Sequence, residues 1–191
     1  MKRLKKVHPL ELNQAKEKVL LWFFSFPTHE MSLNDLCLQL QIAKTTAKRT
    51  VQELIEEGFL NVKVLGKLWR ITPNPSHLYT YTLKIPYNLR LIYESGIIGK
   101  IHKQVPEART IVLFGSYRKG DDAEASDIDI AVEVTGSQQT AVKELGVFPQ
   151  FGYRKDVRIN LHVFSRETVD QNLFANIANG IVLEGFLEVK P

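Results

Sequence analysis

The chain has 191 residues, of which 44% are hydrophobic and 24% are charged, ordinary proportions for a globular protein of one large or two small domains. No apolar run approaches the roughly 20 residues that span a bilayer, and no signal-peptide pattern follows the basic N-terminus. The single cysteine, Cys37, excludes an internal disulfide and fits a reducing compartment. These features predict a cytoplasmic protein without membrane association.

Charge is distributed unevenly along the sequence. Residues 1–80 contain 12 Lys and Arg against 7 Asp and Glu, a balance of +5, whereas residues 81–191 contain 13 against 14, a balance of −1. The first 80 residues therefore account for the whole net charge of +4. Such an asymmetry indicates that the N-terminal half faces an acidic partner and the C-terminal half does not.

The first half is predicted to be helical and then briefly β. Its patterns predict helices over residues 13–24, 33–40 and 44–57, and strands over residues 59–65 and 68–71. Ser32 is a suitable N-cap for the second helix, with Asp35 in its first turn. Gly58 ends the third helix, and the Gly66-Lys67 turn joins the two strands.

Residues 12–72 resemble the MarR-like winged helix-turn-helix family, because helix, short helix, turn, longer helix and β-hairpin follow in that order. The resemblance implies that the third helix enters the major groove of double-stranded DNA and that the hairpin, the wing, contacts the backbone. Lys and Arg neutralise phosphates, and Arg and Gln pair with base edges. The implied DNA-binding residues are Lys44, Thr45, Thr46, Lys48, Arg49 and Gln52 on the helix, and Lys63, Lys67 and Arg70 on the wing.

The same helix has a second interpretation. A charged stripe on an amphipathic helix is usually its solvated face, and some winged helices bind proteins rather than DNA. Glu53, Glu56 and Glu57 stand near the end of this helix and would have to be held away from phosphate. DNA binding and a solvated surface both stay open at this point.

The run Pro73-Asn74-Pro75 breaks both helix and strand patterns and predicts a domain boundary, with one domain over residues 1–75 and another over residues 76–191. The predicted elements of the second domain are a short strand or tether over 79–85, a helix over 87–104 that is weakest at Gly96, strands over 108–114 and 157–164, a helix over 173–180 and a strand over 181–189. The expected fold class is therefore mixed α+β.

The most distinctive pattern is an apolar strand, the pair Gly115-Ser116, ten further residues, and then Asp127-Ile128-Asp129 inside a second apolar strand. Glycine lets a phosphate approach the backbone, and the hydroxyl of Ser116 adds a donor. Side chains alternate along a strand, so Asp127 and Asp129 project to one face, about 6–7 Å apart. Paired carboxylates at this spacing can converge on divalent ions that also bind substrate phosphates.

This combination resembles the minimal nucleotidyltransferase family of the DNA polymerase β superfamily over about residues 87–189. The resemblance implies a mixed sheet with flanking helices, following the N-terminal winged helix. It also implies that Gly115 and Ser116 bind the β- and γ-phosphates of a nucleoside triphosphate and that Asp127 and Asp129 bind Mg²⁺ or Mn²⁺. The family often has an arginine before the second glycine of the motif. Lys119 stands there in this chain and retains the charge for phosphate binding, without the bidentate geometry of arginine.

A third carboxylate, which the family usually places on a later strand, has no direct match. The corresponding strand, residues 157–164, carries Asn160 at the best-matching position, and an amide oxygen can ligate a metal but accepts no proton. His162 could act as a base in its place. Asp156, just before the strand, could also reach the site. An active site with one of these substitutes and a site that binds nucleotide with little or no turnover both stay open.

Two functional hypotheses follow. The first is a Mg²⁺-dependent nucleotidyltransferase, coupled to the winged helix, that transfers a nucleoside monophosphate from a triphosphate, with ATP as the default, to an unidentified acceptor. In it Asp127, Asp129, Asn160 and His162 form the catalytic set. The second is a weakly active or inactive regulator that binds DNA, or an antitoxin-like protein that acts on a separate toxin. A homodimer is compatible with either hypothesis.

Overall fold

The computed structural model describes residues 13–66, 68–137 and 139–189. The N-terminal half contains α1 (Gln14–Ser25), β1 (Met31–Ser32), α2 (Leu33–Leu40), α3 (Lys44–Glu56), β2 (Leu60–Leu65) and β3 (Leu68–Pro73). Asn13 caps α1 by accepting a hydrogen bond from the Lys16 N–H at 2.8 Å. The predicted cap of α2 is confirmed, because the Ser32 hydroxyl accepts a hydrogen bond from the Asp35 N–H at 3.1 Å.

The described part of the N-terminal half folds around one apolar cluster. Its strands form an antiparallel sheet in the order β1-β3-β2. The three helices bury their apolar faces on one another and on the sheet; the fully buried members of the cluster include Leu20, Phe23, Leu36, Val51, Leu54 and Ile71. The order of helices and strands follows the sequence prediction to within two residues at most ends. The winged-helix interpretation of this arrangement stays a prediction.

The C-terminal half is a mixed sheet with flanking helices, as predicted. Its elements are a π-helical turn (Thr80–Lys84), α4 (Ile85–Glu94), α5 (Ile97–Gln104), β4 (Thr110–Phe114), α6 (Gly115–Lys119), β5 (Ile128–Glu133), β6 (Ala141–Phe151), β7 (Arg154–Phe164), α7 (Gln171–Ala178) and β8 (Ile181–Gly185). The described strands lie in the order β6-β7-β5-β4-β8. β5 and β7 run parallel, and the other neighbours run antiparallel.

Three expectations about local structure were wrong or incomplete. Residues 80–84 are helical rather than a strand or tether, because Leu83 and Tyr87 pack against the N-terminal cluster from one side of a helical path. The helix predicted over residues 87–104 is two helices, separated at Gly96, whose φ of 72° is the left-handed conformation that ends a helix. Strand β6 was not predicted at all, since its exposed edge carries no clear alternation.

The two halves of the chain are in contact. Tyr153, in the turn between β6 and β7, meets Trp22 of α1 with ring centroids 5.5 Å apart. The backbone N–H and the hydroxyl of Thr28 donate hydrogen bonds of 3.2 and 3.0 Å to the Glu124 carboxylate. The apolar cluster of the N-terminal half extends past residue 75 to Leu83 and Tyr87, and the domain boundary predicted there stays a prediction. Within the described ranges, no helix is long and apolar enough to cross a membrane.

Candidate active site

The Gly115-Ser116 turn lies where the buried strand β4 passes into the short helix α6. Gly115 has a φ of 70°, and a Cβ added there would lie 2.7 Å from Oδ2 of Asp129. That distance is shorter than a carbon–oxygen contact allows, so the turn needs glycine for conformation and for space alike. Because the carboxylate packs directly on the glycine backbone, the turn and Asp129 form one continuous surface.

The two aspartates are positioned by the alternation of β5. Asp127 stands immediately before the strand, and Asp129 is its second residue; both are partly exposed. Ile128 and Ile130 are fully buried in the core on the other face. The large apolar burial of these two isoleucines fixes which way the strand faces, and a one-residue slip would expose them and bury the carboxylates.

Asn160 completes a three-residue cluster. The parallel pairing of β5 with β7 sets Asn160 opposite Asp129. Its Nδ2 atom donates to Oδ1 of Asp129 at 3.2 Å and to Oδ2 of Asp127 at 3.4 Å. Both carboxylates therefore face one electropositive atom, so their lone pairs converge on a common point.

His162 lies next to this cluster on the same face of β7. Its Nε2 atom is 3.4 Å from Oδ1 of Asp129, and its ring meets Phe114 edge-on with centroids 4.9 Å apart. Among the described residues, neither ring nitrogen has a hydrogen-bond partner, although both nitrogens are shielded from solvent. The contact with Asp129 is thus a close approach rather than a hydrogen bond, and the hydrogen-bonding capacity of both ring nitrogens is unused among the described residues.

Two other candidates are not brought to the cluster. Asp156 is exposed, has a φ of 53°, and lies four residues before Asn160, about 13 Å along an extended strand. Lys119 is the exposed last residue of α6, one helical turn beyond Ser116. In the part of the chain that the structure describes, no hydrogen bond or ion pair joins either side chain to the aspartates or to Asn160.

The donor set fits a hard cation shared with a substrate. The two carboxylates provide oxygen ligands, and Mg²⁺ is usually held by one or two carboxylates together with phosphates. The Asn160 amide would add a third once its oxygen, in place of the Nδ2 that faces the aspartates here, is turned toward the cation. The amide hydrogen bonds show that Asp127 and Asp129 can engage one positive centre at the same time. No group of three or more His, Cys, Asp and Glu suited to a metal occurs among the described residues, so a closed all-protein site is not formed.

A buried polar cluster that the sequence did not predict lies behind the loop that precedes β5. It consists of Lys84, Asn88, Asp122 and Arg154, each at most 5% exposed, and it contacts Tyr117. Burial raises the pKa of the Asp122 carboxyl and lowers the pKa of the Lys84 ammonium, and their 3.3 Å ion pair opposes both shifts. No sequence signal identifies these residues, because each stands singly in a pattern that is otherwise typical of an exposed side chain.

The predicted DNA-binding residues occupy one face of α3. Lys44, Thr45, Lys48 and Arg49 are exposed and Thr46 is partly exposed, whereas Lys67 lies outside the described residues. Lys48 reaches across to the β2–β3 hairpin, with its Nζ 5.8 Å from the ring centroid of Trp69. Nε of Arg49 is 3.7 Å from Oε1 of Glu53, so one acidic side chain shares this face.

Comparison with known proteins adds one finding. No curated protein matches the sequence significantly. Residues 97–183 match the family model described as Polymerase beta, Nucleotidyltransferase, a range that runs from α5 to β8 and includes the Gly-Ser turn, both aspartates and Asn160. This match supports a nucleotidyltransferase domain of the polymerase β superfamily in the C-terminal half, with nucleotidyl transfer as the chemistry at the family level.

Proposed function

We propose that the protein is a Mg²⁺- or Mn²⁺-dependent nucleotidyltransferase that uses a nucleoside triphosphate, with ATP as the first candidate. The observation that carries the proposal is the convergence of Asp127, Asp129 and Asn160 beside the Gly115-Ser116 turn. Three separate elements contribute these residues, and a chance cluster of surface polar groups would not also require a glycine at the contact. The match to the nucleotidyltransferase family model points to the same chemistry.

In the proposed reaction an acceptor hydroxyl oxygen forms a bond to the α-phosphorus, and the bond from that phosphorus to the bridging oxygen breaks. Pyrophosphate leaves with the electron pair, and the hydroxyl proton passes to a base. A divalent cation held by Asp127 and Asp129 would neutralise negative charge on the transferring phosphoryl group. Gly115 and Ser116 would bind the β- and γ-phosphates, with Lys119 adding positive charge nearby.

His162 is the proposed proton acceptor. Asn160 can orient a carboxylate or ligate a cation through its oxygen, but an amide takes no proton at neutral pH. Imidazole changes charge near neutral pH, and His162 lies 3.4 Å from Asp129 with both ring nitrogens free of hydrogen bonds among the described residues. Both nitrogens are shielded from solvent, so proton acceptance requires that a bound acceptor hydroxyl reach Nε2 beside Asp129.

Mass spectrometry of the protein and of candidate acceptors after incubation with ATP and Mg²⁺ or Mn²⁺ tests this proposal. Addition of a nucleoside monophosphate is expected with the wild type and not with Asp127→Asn or Asp129→Asn. Asp121→Asn is the matched control, because Asp121 is an exposed carboxylate in the loop that leads to Asp127. Transfer that persists in both aspartate variants would contradict the proposal.

A second candidate function is DNA-binding regulation, with weak or absent transfer. The exposed cations Lys44, Lys48 and Arg49 on α3 favour it, since they can neutralise phosphates along one face. In that case the C-terminal half would sense nucleotide or bind a partner protein such as a toxin, with homodimerisation as a further possibility. Fluorescence anisotropy with double-stranded DNA over a salt series tests it; no binding at low salt would refute DNA recognition.

A further inference from the structure

The loop over residues 120–127 joins α6 to β5 and thereby links the phosphate-binding turn to the aspartates. Its backbone carbonyl oxygens at alternate residues accept hydrogen bonds from buried cations. Lys84 donates a hydrogen bond from Nζ to the backbone carbonyl oxygen of Asp122 at 2.6 Å. Arg154 donates from Nη2 to the Glu124 oxygen at 2.7 Å and to the Ser126 oxygen at 2.6 Å. The last of these carbonyls directly precedes Asp127.

Arg154 also contacts the phosphate-binding side. Its Nη1 atom donates a hydrogen bond to the Tyr117 hydroxyl, and Tyr117 is the third residue of α6 and 2% exposed. Asn88 of α4 holds the same helix from behind, donating to the Tyr117 carbonyl oxygen at 3.2 Å. One guanidinium therefore ties α6 to the residues immediately before Asp127.

The charge balance around Arg154 is unusual for a structural arginine. The side chain is 5% exposed, and within the described residues no carboxylate forms an ion pair with it. Asp122, the buried carboxylate of the cluster, is paired with Lys84 instead. Burying a charge without a directly paired carboxylate is costly. The hydrogen bonds to the two loop carbonyls and to Tyr117 offset this cost, together with attraction to the nearby Asp122 carboxylate and to the Tyr117 ring, whose centroid is 5.6 Å from Cζ of Arg154.

We propose that Arg154, with Lys84, is a positioning residue of the nucleotide–metal site. Arg154 holds the carbonyl oxygens of residues 124 and 126 and Lys84 holds that of residue 122, and together they set the position of Asp127 relative to the Gly115-Ser116 turn. This inference rests on the proposed function. Arg154 does not touch the proposed ligands and acts through the backbone of the loop. Removing it releases two carbonyls and lets Asp127 move away from Asp129 and Asn160.

The test compares the affinities of Arg154→Met and of the wild type for Mn²⁺ in the presence of ATP. Binding is measured as the decrease in the electron paramagnetic resonance signal of free Mn²⁺. Loss of a residue that orients a metal ligand lowers affinity about 10- to 100-fold, and that range is expected here. Arg154→Lys is expected to restore part of the loss, because one ammonium can still reach a carbonyl. Lys155→Met controls for loss of a positive charge at the neighbouring, exposed position.

A control variant with reduced stability distinguishes a positioning role of Arg154 from a purely structural one. Ile101→Val removes a methylene from a fully buried side chain of α5, away from the loop. It is expected to lower the melting temperature without weakening Mn²⁺ and ATP binding. Equal affinity of folded Arg154→Met and wild type would overturn the proposal, and so would an equal loss in Ile101→Val. If Arg154→Met does not fold, the affinities of Arg154→Lys and Tyr117→Phe for Mn²⁺ and ATP test the proposal in its place.

Hydrogen exchange distinguishes failure of this inference from failure of the proposed function. In the absence of any ligand, the peptide over residues 120–128 is expected to exchange faster in Arg154→Lys than in the wild type, with other regions unchanged. Unchanged exchange of this peptide would refute the positioning role. If the wild type binds no Mn²⁺ and ATP but the peptide still exchanges faster in Arg154→Lys than in the wild type, the proposed nucleotide site is refuted. The restraint of the loop by Arg154 is then still supported.

Discussion

The two proposed functional surfaces of this molecule are built in opposite ways. On α3 the candidate DNA-binding side chains belong to one helix and are solvated, and Glu53 lies 3.7 Å from one of them. In the five-stranded sheet the candidate site draws on the turn after β4, on the start of β5 and on β7, and its residues contact one another. A surface on one helix tolerates substitution with little structural consequence, whereas a site assembled from several strands depends on backbone register. The contrast makes the second surface the stronger evidence for function.

The largest expected effect comes from Gly115→Ala. The added Cβ would displace Asp129, and alanine at a φ of 70° costs about 1–2 kcal/mol. We expect the affinity for Mn²⁺ and ATP to fall about 100-fold, measured by calorimetry. Gly136→Ala is the matched control, since Gly136 also has a positive φ but no atom within 4 Å of the added Cβ. Equal losses in both variants would show that backbone strain, not the contact with Asp129, is responsible.

The substitution Asn160→Asp tests the same site by adding a charge to it. A third carboxylate at the cluster would repel Asp127 and Asp129 and lower the metal-free melting temperature. Mn²⁺ is expected to bind about tenfold or more tightly and to reverse the destabilisation, because a further charge near 4 Å has a gross attraction of about 4 kcal/mol at an effective dielectric constant of 20. Thermal unfolding with and without Mn²⁺ measures both effects. Asn61→Asp, on the exposed face of β2, should show neither.

The double variant Lys48→Ala, Arg49→Ala tests the helical surface. Both side chains are exposed, so the free energy of unfolding is expected to change by no more than about 0.5 kcal/mol. If α3 binds DNA, the variant should weaken duplex binding and reduce its salt dependence by about two phosphate contacts. Anisotropy over a salt series checks this. Binding that keeps its wild-type salt slope would place any DNA contact elsewhere.

The smallest expected effect concerns the contact between the halves. Burial opposes ionisation of Glu124, but hydrogen bonds from its own backbone N–H and from Thr28 outweigh it and hold the pKa below its ordinary value. The stabilisation is therefore present above the ordinary pKa of a glutamate, about 4.3, and is lost as pH falls through the lower folded value. Glu124→Gln should lower the melting temperature slightly at neutral pH and less in acid. Glu107→Gln, an exposed control, should show no such difference.

Local patterns were enough to predict much of the fold. Ser32 caps α2 because a hydroxyl before an apolar helix meets a free N–H. The alternation around Ile128 and Ile130 predicted which side of β5 faces the core, and both isoleucines are fully buried. Such features depend on neighbours in the sequence. The resemblance to nucleotidyltransferases, together with the alternation along residues 157–164, also singled out Asn160, which the structure brings to the aspartates.

What escaped prediction depends on contacts between distant residues. Residues 80–84 are helical because Leu83 meets a core formed by residues between Val19 and Ile71. The role of Arg154 depends on carbonyl oxygens about 30 positions earlier, exposed by a loop without regular structure. The ion pair of Lys84 with Asp122 likewise joins residues whose proximity no local pattern encodes. Asp156 was a candidate by sequence distance alone, and the geometry of β7 leaves it apart from the cluster.

Calorimetric titration of the full chain with ATP in the presence and absence of Mn²⁺ tests the central claim, that Asp127, Asp129 and Asn160 with the Gly115-Ser116 turn form a nucleotide–metal site. The account predicts binding by the wild type that requires the cation and is lost in Asp129→Asn but retained in Asp121→Asn. Binding that does not depend on the cation, or that survives in Asp129→Asn, would contradict it, as would the absence of binding by the wild type.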